Sequence, residues 1–190
     1  MRLALAVIAT ALATATPAAA VVPEVSSFEH VGAAVSGPLE GGDGEFFVAV
    51  EAFLLEVDGQ PVVNVAADAI FGDVECLTNE GSSTATFADD LSSATLTGSV
   101  TGSCFDFAQE KESSYSAEFD LTWTAVGRLE RRAFGMRLDG TVCSTMVVSR
   151  EAVATGTLTW SAPQLGIGGT GSPFGRAGIE RFTDRCITTG

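Results

Sequence analysis

The sequence predicts an all-β fold, a single antiparallel barrel or sandwich of about nine to ten strands stapled by disulfides. Three observations carry this. The first is strict alternation between Ser116 and Val126. Phe119, Leu121, Trp123 and Ala125 share one parity there, and Glu118, Asp120, Thr122 and Thr124 the other. Successive side chains of an extended chain point to opposite faces, so this is a strand with one apolar and one polar side. The second is that two further stretches repeat the design. Leu96, Val100 and Cys104 alternate with threonines and serines, and Ala154, Leu158 and Trp160 alternate with Thr155, Thr157 and Thr159. The third is the short spacing of Gly, Pro, Asn and Asp turn signals. Phe47, Val50, Leu54 and Val57 also fit a helical period, but the Asp58-Gly59 signal directly after them favours a strand over a short helix. Strands of this kind share a core on one side and meet water through threonines on the other.

Taken in order, residues 1–20 read as a secretory signal peptide. Arg2 supplies the positive start, Leu3 to Ala15 the apolar run, and Ala18-Ala19-Ala20 the cleavage site. The run is too short to span a bilayer, and no integral membrane segment is expected in the mature chain, 21–190. Val21 to Ser27 reads as a loose leader and Phe28 to Ser36 as a first strand ended by Gly37-Pro38. Gly41 to Gly44 reads as a loop. Phe46 to Val57 is apolar on both parities, as in a central or covered strand, and Asp58-Gly59 is a hairpin signal before Val62. Val62 to Thr78 reads as one bent strand broken near Gly72-Asp73, Asn79 to Ser82 as a turn, and Ser83 to Phe87 as a short strand. Past Asp89-Asp90 come the strand Ala94 to Cys104, a polar loop at Gln109 to Glu112, and the Ser116 strand, which continues towards Arg128. Glu130 to Arg132 reads as a turn into Ala133–Leu138. Asp139-Gly140 leads to Thr141–Ser149, and Arg150-Glu151 turns into the Trp160 strand. The Gly-rich segment 163–175 reads as a loop or loosely packed tail, and Ile179 to Ile187 as a last short strand.

The formal net charge is −14, and removing residues 1–20 takes Arg2 but no acid, so the mature chain is one unit more negative. Such a chain repels nucleic acid and anionic lipid surfaces. Four cysteines, Cys76, Cys104, Cys143 and Cys186, all lie in the mature part. Export and an even count point to two disulfides. Of the three connectivities, Cys76–Cys104 with Cys143–Cys186 links neighbours in sequence. Metal ligation is disfavoured by the lack of a C-x-x-C pair and the single histidine. No cofactor is expected.

Leu121-Thr122-Trp123-Thr124-Ala125-Val126-Gly127 and the run Ser149 to Thr159, with its Ala154-Thr155-Gly156-Thr157, resemble strand sequences of uncharacterised exported β-proteins of actinobacteria. The resemblance covers about a quarter of the chain. It implies a secreted all-β domain and carries no activity or site.

Candidate chemistry is sparse. His30 is the only histidine and no nucleophile-elbow motif accompanies it, so it reads as a surface or edge residue. Glu51 lies inside the most apolar run, where a carboxylate needs a partner or solvent, so it is expected to be paired or to reach solvent at the sheet edge. Glu118 and Asp120 share a polar strand face. Arg128, Arg131, Arg132, Arg137 and Arg150 cluster in the second half. They would form a patch for a carboxylate or phosphate ligand, or pair with acids such as Glu130 and Glu151. Asp43, Glu45, Asp89 and Asp90 have no EF-hand spacing. Arg128, Arg132, Arg150 and Glu51 are the candidate ligand-binding residues. No catalytic residue is assigned. The expected function is a noncatalytic extracellular binding or structural module that meets an extracellular ligand or surface component. A small-molecule carrier with its ligand inside a barrel, in the room that Gly and Ala leave there, is the alternative. A carboxylate-based glycan hydrolase comes third.

Overall fold

The computed structural model describes residues 24–38, 46–57, 60–138, 141–172 and 175–188. The proposed signal peptide and the Gly41–Gly44 and Asp139-Gly140 turns lie outside them. Ten antiparallel strands form one sheet: β1 (Glu24–Pro38), β2 (Phe46–Val57), β3 (Gln60–Phe71), β4 (Val74–Phe87), β5 (Ser93–Asp106), β6 (Lys111–Ala125), β7 (Glu130–Leu138), β8 (Thr141–Ala162), β9 (Ile167–Gly171) and β10 (Arg176–Thr188). The described residues hold no α-helix, only a 3-10 turn at Pro163–Leu165.

Hydrogen bonding runs β10-β1-β2-β3-β4-β5-β6-β8, and β8 pairs with β10 again, which closes a ring. The long strand β8 makes the closure. Its first half, Thr141–Ala152, pairs with β10, and its second half, Ala152–Ser161, pairs with β6. β7 lies against the first half and β9 against the second. The ring is not a regular barrel. β3 and β4 share only the pairs Ala69↔Cys76, Ile70↔Glu75 and Phe71↔Val74 and then part. Thr78 bridges the opening with its side chain. The Ala67 N–H donates to Thr78 Oγ1 at 2.8 Å, and the Thr78 N–H donates to Asp68 Oδ1 at 3.1 Å. A β-bulge between Thr78 and Glu80 turns β4 away at the same point.

Several boundaries differ from the sequence expectation, for a common reason: ladder pairing overrides local turn propensity. Residues 24–27 belong to β1, because β10 pairs with them. Asn79–Ser82 is not a turn but bulged strand paired with β5. Gly72-Asp73 is a hairpin between two strands rather than a break in one. Glu130–Arg132 and Arg150-Glu151 are strand, the first paired with β8 and the second with β10. The Gly-rich segment includes β9, whose Ile167–Gly171 pairs with Ala162–Leu158.

The two walls of the ring complement each other in volume. The inner faces of β1, β2 and β3 present small residues, including Ala33, Val50, Ala52 and Ala67. Opposite them, β5, β6 and β8 present Leu96, Tyr115, Phe119, Trp123 and Trp160, all buried. The aromatic rings take the room that the small residues leave, so the interior is packed. The expected alternation holds strictly in β6, whose inward residues from Ser113 to Trp123 are buried while Glu118, Asp120, Thr122 and Thr124 are exposed. Trp123 Nε1–H donates to the Ala34 carbonyl at 2.9 Å, tying β6 to β1 through the core. Both expected disulfides are formed, each between directly paired residues of adjacent strands: Cys76–Cys104 across β4–β5 and Cys143–Cys186 across β8–β10.

Tyr115 is the polar pivot of this core. Its ring stacks on Trp160 at 4.1 Å, and its hydroxyl donates to the Ala67 carbonyl at 2.7 Å and lies 2.8 Å from Thr78 Oγ1. Burial pushes the phenol up to about 12. The Thr78 hydrogen bond opposes this and the Asp68 charge adds to it. A phenol with a raised folded pKa holds its proton more tightly in the native state. Its contribution is therefore complete below the unfolded value near 10 and is lost as pH rises towards 12. Tyr115 is the only tyrosine, so a near-ultraviolet absorbance titration reads it alone. The folded protein should ionise near 12 and the denatured chain near 10; coincident midpoints would place the hydroxyl in water.

Candidate binding trough on the outer face

The register places the outward side chains of β2, β1, β10 and β8 in rows. One row reads Glu51, Ala34, Gly178, Glu151, and the next reads Phe53, Gly32, Glu180, Ser149. Ala34 and Gly178 in the first row and Gly32 in the second are small, so the outer face sinks between its flanks. Over Gly32 and Ala34 it forms a hollow of about 480 Å³ bounded by Glu51, Phe53, Arg176, Glu180 and Phe182. A second hollow of about 470 Å³ adjoins it and is lined by Arg128, Glu130, Arg132, Arg150 and Glu151. The two share Arg176, Ala177, Gly178 and Glu180, so they form one trough running across the strands.

Two glycines shape the floor differently. At Gly32 a Cβ would stand 2.6 Å from the Phe53 ring, because that ring lies on the bare backbone. At Gly178 a Cβ would meet only the Arg150 carbonyl, at 3.5 Å, so a side chain there would enter the trough without strain on its neighbours.

The fold brings the side chains of three candidate ligand-binding residues to the trough, Glu51, Arg128 and Arg132. Arg150 pairs with the buried Ile179, so its side chain faces inward and only its carbonyl lies beneath Gly178. Glu51 stands at one end, and Arg128 and Arg132 at the other. Glu51 reaches solvent through the outer face of a central strand, not at a sheet edge. The arginines do not make a single positive patch. Arg132 pairs with Glu130 at 2.9 Å, and Glu151 and Glu180 stand among the others. The trough presents three guanidinium groups, of Arg128, Arg132 and Arg176, against four carboxylates, so its formal charge is close to balanced within a chain of −14. None of the four carboxylates is buried. The Nε of Arg150 is shielded from solvent and has no hydrogen-bond partner.

Other candidates lie elsewhere. Arg131 and Arg137 project to the opposite face of β7 from Arg132 and do not line the trough. Glu118 and Asp120 are solvated on β6. His30 is not an ordinary surface residue. It is half-buried, stacked on Phe182 at 4.5 Å and flanked by Phe53 and Phe28, because its parity faces an aromatic stripe of the outer sheet. Asp90 sits in an exposed turn, where hydrogen bonds from the Ser92 side chain and backbone hold its carboxyl below the usual carboxylate range. Asp43 and Glu45 lie outside the described residues. Among the described residues no group of three His, Cys, Asp or Glu could hold a metal ion, and no helix is long and apolar enough to cross a membrane.

Sequence reasoning missed Phe53, Arg176, Gly178, Glu180 and Phe182 as site residues. Small residues inside strands, Gly32 to Ala34 and Ala177-Gly178, were the available signal, since glycine within a strand marks a close approach. Compared with protein families, with curated proteins and with solved structures, the chain matches none.

Proposed function

We propose that the protein is a noncatalytic extracellular binding module whose ligand seat is the outer-face trough. The observation that carries this is the convergence of charged and aromatic side chains from four strands around one glycine- and alanine-floored hollow. Two disulfides suit an oxidising environment outside the cell. Binding is favoured over catalysis because a general acid needs a desolvated carboxyl, and those of the trough meet water. The trough is favoured over a ligand carried inside because aromatic rings fill the interior.

Gly178→Phe tests this, since it fills the trough from a position where the backbone tolerates a side chain. Native mass spectrometry of the protein recovered from its culture medium should show an associated extracellular component, and the variant should lose it. Equal occupancy in both proteins, or none in either, would remove the trough as the seat.

A further inference from the structure

We infer that the trough takes an uncharged, hydroxyl-rich chain, a neutral glycan, laid across the strands. This rests on the binding-module reading above and names its ligand class. Charge decides against ionic ligands. The carboxylates and guanidinium groups of the trough come within one charge of balance, while the surrounding chain is strongly acidic. An anionic polymer would be repelled by the protein as a whole. A cationic one would find the carboxylates already offset by arginines.

Hydrogen-bonding chemistry then selects hydroxyls. A carboxylate only accepts and a guanidinium only donates, whereas each hydroxyl does both. Glu51 at one end and Arg128 and Arg132 at the other, with Glu180 and Arg176 between, therefore suit neighbouring hydroxyls of linked sugars.

Shape agrees with this. From Glu51 to Glu151 the row crosses three inter-strand spacings, about 14 Å at ~4.8 Å each, so a chain of several rings fits lengthwise. Bare backbone at Gly178 lets a ring settle low. Phe53 and Phe182 at the Glu51 end offer aromatic surface for the C–H face of a sugar.

Affinity electrophoresis of the purified protein tests the class. The gels would contain a neutral β-glucan, α-mannan or galactan, the acidic polygalacturonate, or the basic chitosan. At least one neutral polysaccharide should retard the protein, and raising the salt should leave that retardation unchanged. Gly178→Phe should abolish it. Glu51→Gln, at an exposed position that leaves the fold intact, should weaken it about tenfold or more through loss of a charge-assisted bond. Near-ultraviolet circular dichroism would confirm that each variant is folded. Retardation by no neutral polysaccharide overturns the glycan assignment. Retardation only by a charged polymer, abolished by salt and by Gly178→Phe, also overturns it but keeps the trough as the seat. Binding to a neutral polysaccharide that neither variant alters would overturn both readings.

Discussion

Trp123→Ala should lower the unfolding free energy by about 3–5 kcal/mol, the largest single-residue effect expected in this protein. The side chain is fully buried, between a wall of small residues on β1 to β3 and the large side chains of β5, β6 and β8. Neither wall can close over the void, because each is held by its own ladders. The indole also donates to the Ala34 carbonyl, so its loss removes that hydrogen bond between β6 and β1 as well. Trp123→Phe keeps most of the volume and should cost about 1–2 kcal/mol, which isolates that hydrogen bond. Denaturant unfolding followed by circular dichroism measures both. A loss under about 1 kcal/mol for the alanine variant would show that Trp123 is not enclosed. Ala34 also lies on the trough floor, so a core defect at Trp123 should loosen the binding face from beneath.

Removing either disulfide should cost about 3–4 kcal/mol, by the entropy regained when a loop of this length is opened in the unfolded chain. Cys76 and Cys104 close 28 residues, and Cys143 and Cys186 close 43. The two should differ in accessibility. Cys76 and Cys104 are buried in the core, whereas Cys143 and Cys186 lie half-exposed on the outer face where β8 meets β10. Thiol–disulfide exchange needs access to sulfur, so mild reductant under native conditions should open Cys143–Cys186 first. Alkylation and peptide mapping follows the order, and simultaneous release of all four thiols would mean that opening requires global unfolding. The non-reduced, denatured protein should take up no alkylating reagent. Opening Cys143–Cys186 frees the far end of β10, the strand that supplies Gly178 and Glu180, so weakened ligand binding should accompany that first reduction.

Alternation alone determined the fold class, the inward side of β6 and the burial of both tryptophans, because a two-residue period leaves a strand one apolar face to cover. Cysteine number and chain order were enough to favour the pairing found. Glu51, Arg128, Arg132 and Arg150 were recognisable one at a time, as charges where charge is costly or clustered. Their meeting was not. Glu51 lies on β2 and Arg128 and Arg132 around the start of β7, and only the register through β8, β10 and β1 sets them around one floor, while the same register turns the Arg150 side chain inward. The same register decided that residues read as turns at Glu130 and Arg150 run straight, since ladder hydrogen bonds outweigh local preference. It also decided that Gly32, Ala34 and Gly178 make a floor outside rather than room inside. The volume of the interior depends on which strands face each other across the ring, and here the small-residue wall faces tryptophan.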